Sequence, residues 1–98
     1  MAHERTRRAR WRTAVYKAPH MTNATRLLLI RLADDMHPDG FVSIPRSTLA
    51  DSLGVHPSRI TERIHAAEKA GWLSTRTPGR PGATAEYAAT FPTDWNGS

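Results

Sequence analysis

Ser58, Arg59, Thr61, Glu62 and Arg63 fall within six consecutive positions, directly after His56-Pro57. Guanidinium, hydroxyl and carboxylate groups at this density can recognise the edges of nucleic-acid bases. The planar fork of Arg59 matches O6 and N7 of a guanine, a contact worth about 1–3 kcal/mol of discrimination. Glu62 can accept from a cytosine N4 amine, and because it repels phosphate it acts as a negative selector. Helical periodicity decides which of these groups face outward. Ile60, Ile64 and Ala67 form an inward stripe on a helix from Pro57 to Ala70. At 100° per residue the opposite face carries Ser58, Arg59, Glu62 and Ala66, with Thr61, Arg63 and His65 on the flanks. His56 suits the N-cap, Pro57 the first helical position and Gly71 the residue that ends the helix. The competing explanation for Arg59, Glu62 and Arg63 is a solvated face with local ion pairs.

The elements before this helix must hold it outward. Ser47 is expected to cap a short helix whose inward residues are Leu49, Ala50 and Leu53, with Gly54 ending it and Val55 packed at the corner. A short helix, a tight glycine-containing turn and a steeply angled second helix leave the second one projecting from the body. Ser47, Thr48 and the first amides of either helix suit phosphate oxygens, which position a protein without reading sequence. Upstream, Thr22 or Asn23 can cap a helix to about Met36 with Leu28, Leu32 and Met36 on one stripe. His37-Pro38-Asp39-Gly40 stops it, and Phe41-Val42-Ser43-Ile44 before Pro45 is expected as a brief strand.

Downstream, Trp72–Thr75 and Glu86–Thr90 are expected as two strands of a hairpin, joined by the Arg-, Gly- and Pro-rich stretch 76–83. Arg76 and Arg80 are its cations. Arg80 stands between two Pro/Gly pairs that keep the backbone thin, a shape suited to a narrow, A·T-rich minor groove. Gly79-Arg80-Pro81 resembles the core of AT-hook peptides; the plainer alternative is a mobile loop stiffened by proline. Trp95 is expected to pack back on the body.

The 98 residues, 10.9 kDa, are enough for one domain and a tail. The net charge of +5 is unevenly placed. Residues 1–20 hold Arg5, Arg7, Arg8, Arg10, Arg12 and Lys17 against Glu4 alone, whereas the eight basic and eight acidic residues of 21–98 cancel. The chain therefore divides into a basic N-terminal arm (1–20), a neutral domain (21–92) and a tail (93–98). An arm of this kind suits a polyanion, because each arginine that neutralises a phosphate releases a condensed counterion. Trp11 and Val15 lie one helical turn apart with Ala14 and Ala18 nearby. The arm is thus either a short helix docked on the body or on a second subunit, arginines outward, or a segment disordered until it meets DNA.

Other function classes find little support. With no cysteine there is no disulfide framework, thiolate metal site or cysteine nucleophile. The longest apolar run is Leu27 to Ile30, far short of the ~20 residues of a membrane span. No apolar segment follows the basic N-terminus, so a soluble, cytoplasmic protein is expected. The histidines at 3, 20, 37, 56 and 65 form no i, i+4 pair, and Glu62 with His65 lacks a third ligand. Walker and GxSxG motifs are absent, and Tyr16 and Tyr87 lack the His-rich motif of a nicking initiator. Neither an enzyme, a cofactor, a metal nor a small-molecule ligand is expected.

The run IPRSTLADSLGVHPSRITERIHAAEKAGWL resembles the winged-helix module of bacterial regulators and of plasmid and phage replication proteins. The preceding LLLIRLADDMHPDGFVSI is similar to that module's first helix and strand, and the likeness extends over about residues 21–92 through the wing and the Tyr87 strand. It implies an α+β, mostly α fold: a winged helix-turn-helix of three helices, a short strand and a C-terminal β-hairpin wing. It also implies a sequence-specific double-stranded DNA-binding protein, a small prokaryotic or mobile-element transcriptional regulator of repressor type, associated with the nucleoid. Helix 57–70 would enter the major groove, with the wing 76–83 and the arm on the minor groove or backbone. In the family this helix opens with Ser-Arg-x-Thr-like residues and carries an outward Arg or Lys. Here His56-Pro57-Ser58-Arg59 occupy the opening, and Glu62 stands where a basic residue is common. Many such proteins bind paired half-sites, which favours a homodimer. The alternative is an interaction or replication/partition accessory module whose arm binds nucleic acid nonspecifically.

Overall fold

The structure is a computed structural model that describes residues 5–95. The first four residues, including His3 and Glu4 of the basic segment, and the last three of the tail lie outside the described residues. The order of elements is α1 (Arg7–Lys17), α2 (Asn23–Asp35), β1 (Phe41–Val42), α3 (Arg46–Leu53), α4 (Pro57–Lys69), β2 (Leu73–Thr77) and β3 (Glu86–Ala89). The fold is α+β. Its strands make one antiparallel sheet in the order β1-β3-β2, with Val42 opposite Tyr87 and Leu73 opposite Ala89.

Local sequence sets most boundaries. The Thr22 hydroxyl accepts from the Thr25 amide at 3.2 Å and starts α2, and Leu28, Leu29, Leu32 and Ala33 are its buried stripe. The helix stops at Asp35, where Met36 turns extended ahead of His37-Pro38. β1 is shorter than expected, covering Phe41–Val42 rather than 41–44. Pro45 has no N–H to give the sheet, and the Ser43 hydroxyl leaves the ladder to donate to the Ala85 carbonyl. Ser47 is not the cap of α3. Pro45 holds that position without a side-chain bond, and the helix begins one residue before Ser47, at Arg46.

Gly54 closes α3 at φ +68°, a left-handed conformation that a side chain disfavours, and the Val55 amide reaches back to the Ala50 carbonyl at 3.0 Å. Two residues after Gly54, His56 caps α4, its Nδ1 accepting from the Ser58 amide at 3.1 Å, with Pro57 at the first helical position. Ile60, Ile64 and Ala67 are fully buried, as their spacing predicts. The Gly71 and Trp72 amides then return to the Glu68 and Ala67 carbonyls and end the helix. β2 runs to Thr77, two residues further than expected, with an irregular register between Thr75 and Thr77.

Residues 1–20 do not stand apart from a domain beginning at 21. From Arg7 onward the segment is α1, and Trp11, Ala14, Val15 and Ala18 belong to the same buried cluster as Leu29, Leu32, Trp72 and Tyr87. Trp11 is fully buried, and its indole N–H is shared between the Trp72 carbonyl at 2.9 Å and the Thr90 carbonyl at 3.0 Å. Of the states open to the segment, the chain adopts the docked helix. Trp95 also packs inward, edge-on to Trp72 at 5.2 Å between ring centroids. Trp11→Ala should lower the unfolding free energy by about 3–5 kcal/mol. Deleting residues 1–20 should abolish cooperative melting; urea and thermal unfolding followed by far-ultraviolet circular dichroism check both.

Candidate nucleic-acid interface

The face of α4 that turns away from Ile60, Ile64 and Ala67 is solvent. His56, Pro57, Ser58, Arg59 and Glu62 are exposed there, and Thr61 and Arg63 are half-buried at its edges. Arg59 Nη1 lies 3.3 Å from Glu62 Oε1, with the two side chains 65% and 66% exposed. An ion pair this wet contributes about 0–1 kcal/mol, so either partner can leave it for a ligand at little cost. Ser58 and His56 are more constrained: the Ser58 hydroxyl sits 3.0 Å from the same His56 nitrogen that caps the helix. Thr61 is held too. Its hydroxyl accepts from Arg46 Nη1 at 2.8 Å.

Arg46 is the functional candidate that sequence reasoning overlooks. At the first position of α3 it bridges three elements, since its Nε and Nη2 also donate to the Tyr87 hydroxyl of β3 at 3.4 and 3.3 Å. Tyr87 is 1% exposed, so the guanidinium is anchored from below while its outer edge borders an open groove of about 320 Å³. That groove lies between the start of α3 and the hairpin, with Pro45 on one wall and Gly79 and Ala83 on the other. Exposed Ser47 and Thr48 follow Arg46 in the first turn of α3. The available signal was a basic residue next to the expected cap; the tyrosine, 41 positions away, gave none.

The hairpin is tightly turned at its tip. The Arg80 and Ala83 amides bond to one another's carbonyls at 3.0 and 2.8 Å around Pro81-Gly82, and Gly82 takes φ +81°. Proline then glycine in those places defines a type II turn, which glycine accepts without strain. The Arg80 side chain is exposed beside it and makes no hydrogen bond or ion pair among the described residues. Arg76 is committed to the hairpin, over the Phe41 ring at 4.1 Å and 3.5 Å from Glu86.

The arginines of the N-terminal segment are divided. They do not all point outward. Arg7 Nε and Nη2 donate to the Ala89 carbonyl at 3.0 and 2.8 Å, and its guanidinium lies 5.3 Å from the Phe91 ring centre. Arg8 Nη1 donates to the Met36 carbonyl at 2.9 Å. These two fasten α1 to β3 and to the end of α2. Arg5 donates to Thr13 along α1, and Arg12 is 4.0 Å from Asp34. Arg10 is exposed with no such partner among the described residues. Two of the segment's six cations, Arg7 and Arg8, therefore fasten the fold, while Arg5, Arg10, Arg12 and Lys17 stay exposed.

Comparison with protein-family models, with curated proteins and with solved structures finds no match to this chain. Among the described residues no three His, Asp or Glu side chains are grouped so that they could hold a metal ion, and no helix is long and apolar enough to cross a membrane. The division of the arginines is measurable. Arg7→Met should cost about 1.5–3 kcal/mol of stability through the lost charged hydrogen bonds. Arg10→Met should stay within about 0.5 kcal/mol of the parent, as expected for an exposed position. Urea titration of the two variants separates them.

Proposed function

We propose that this chain is a sequence-specific double-stranded DNA-binding protein of winged helix-turn-helix type, a small prokaryotic or mobile-element transcriptional regulator. The observation that carries the reading is the one-sided anchoring of α4. Three buried side chains hold that helix by its inner face, and its first turn and outer face are left to Ser58, Arg59 and Glu62. The succession α2, β1, α3, α4, β2, β3 with β1 beside β3 also supports it, because this is the order of a winged helix.

In the proposed complex the N-terminal half of α4 enters the major groove. Arg59 exchanges its wet pair with Glu62 for guanine O6 and N7, and Glu62 turns to a cytosine amine or excludes other bases. Arg46, Ser47 and Thr48 meet the phosphate backbone beside the groove, contacts that set register. The type II turn carries Arg80 toward the adjacent minor groove, where a narrow A·T-rich tract strengthens its attraction. No catalytic step, cofactor or small-molecule effector belongs to this proposal, and the protein would act at the nucleoid.

Selection from a random duplex library tests it. The winning duplex should bind at least about a thousandfold more tightly than its scramble. Arg59→Ala should lose about 1–3 kcal/mol at one guanine position and relax the motif there, while Arg46→Ala weakens both duplexes and lowers the salt slope by about one. Equal binding of both duplexes by the parent chain would exclude sequence reading and favour the accessory-module alternative.

A further inference from the structure

Between Glu4 and Asp34 the chain has no acidic residue, and its cations in that interval divide sharply. Arg7, Arg8 and Arg26 are turned onto backbone carbonyls, and Arg31 onto Ser52 and Asp35. Arg5, Arg10, Arg12 and Lys17 remain, all exposed and all on α1 or just before its cap. Trp11, Ala14 and Val15 are the buried side of α1, which packs on α2 and β3. At 100° per residue Arg12 and Tyr16 then fall one turn apart on the outward side, with Arg10 and Lys17 two turns apart on its flank. Arg5 reaches over from outside the helix, its Nη2 donating to the Thr13 hydroxyl at 2.7 Å. Tyr16 is 72% exposed and stands beside Lys17 at the end of α1.

α1 contains no Asp or Glu to offset this charge. Asp34 of α2 approaches Arg12 at 4.0 Å with both side chains more than half exposed, a pair worth about 0–1 kcal/mol. Each such cation that neutralises a phosphate releases a counterion condensed on the nucleic acid. Arginine, lysine and tyrosine side chains all donate to phosphate oxygens. The 11 residues of α1 are about 16 Å long, a rise of about five phosphates along one strand. A membrane surface fits less well, because the apolar side of α1 is already buried in the core and leaves no apolar face to enter lipid. Among the described residues α1 touches neither α3 nor α4, so this surface is separate from the one that carries Arg46 and Arg59.

We propose that the outer face of α1 is a second nucleic-acid surface, on which Arg5, Arg10, Arg12 and Lys17 hold phosphates and the Tyr16 hydroxyl donates to a phosphate oxygen. Its contacts are to the backbone, so it adds affinity for every sequence and preference for none. The choice of DNA as partner rests on the reading proposed above. The surface itself does not depend on sequence reading by α4.

Fluorescence anisotropy of a labelled random-sequence duplex, titrated with the full chain at salt concentrations from about 50 to about 300 mM, tests it. Arg12→Gln and Lys17→Gln should each lower the slope of log affinity against log salt by about 0.9, and Arg10→Gln/Arg12→Gln/Lys17→Gln by about 2.7. The triple variant should bind at least about tenfold more weakly in about 100 mM salt while melting as the parent does. Tyr16→Phe should weaken binding about threefold and leave the slope unchanged. Lys69→Gln removes one exposed charge from the far end of α4 and should leave the slope as it is. A triple variant with the parent's affinity and slope overturns the proposal. So does a Lys69→Gln slope lowered as far as that of Lys17→Gln, which assigns the effect to net charge alone. If the parent binds all duplexes alike and the α1 variants still lower the slope, this inference stands and the sequence-specific reading falls. Strong sequence preference with no response to the α1 variants gives the reverse.

Discussion

One indole N–H, shared between two carbonyls, is the constraint on which the remaining architecture depends. Trp11 donates to Trp72 and Thr90, the residues that flank the paired ends of β2 and β3. Trp72 lies three residues past Lys69, the last of α4, and directly before β2, so this contact ties the end of the long helix to the start of the hairpin. The Thr90 amide also donates to the Trp72 carbonyl at 3.2 Å, and the Thr90 hydroxyl to that of Gly71 at 2.7 Å. A two-stranded hairpin is marginal by itself. Tying its root to a buried tryptophan from another helix gives the projecting tip a fixed base.

The arginines follow a similar logic. Helix ends leave carbonyls without partners, and these must be satisfied wherever the ends are covered. Arg26 meets four of them, from Val15, Tyr16, Ala18 and Met21, and so closes α1 and the loop that follows. Arg8 does the same for Met36, and Arg7 for Ala89 in the sheet. A guanidinium suits this work because its several donors form a rigid fork that stays charged when partly buried. Three arginines, Arg7, Arg8 and Arg26, are therefore spent on the protein's own backbone, while Arg5, Arg10, Arg12, Arg46, Arg59, Arg76 and Arg80 stay exposed.

Periodic features of the chain were legible. The inward residues Ile60, Ile64 and Ala67, the glycine closing α3 and the Pro/Gly turn between two strands could all be read locally, because spacing and backbone conformation are local properties. Contacts between distant positions carry no period. Nothing near Trp11 announces that its partners are residues 72 and 90, and nothing near Arg46 announces Tyr87. The same limit explains the error at Ser47. Serine is a good cap by type, but Pro45, two residues ahead with extended ψ, takes the cap position, and the helix starts earlier, at Arg46. At the candidate interface, the α4 and hairpin residues lie where their spacing put them, and the anchoring from α3 was invisible.

Arg46 also explains how a small chain can hold two helices and a hairpin in one orientation. Its donors tie Thr61 on α4 to Tyr87 on β3, and Tyr87 in turn stands opposite Val42 of β1 and Thr75 of β2. The first turn of α3, the outer flank of α4 and the middle of the sheet are thereby joined through one exposed side chain. That guanidinium donates to the hydroxyl of a tyrosine buried in the core. A lysine in its place would keep the charge but lose the fork, and with it the simultaneous hold on Thr61 and Tyr87. In this fold, ordering of the α3–α4 surface and stability of the core meet in a single residue, which neither composition nor periodicity distinguishes from the other eleven arginines.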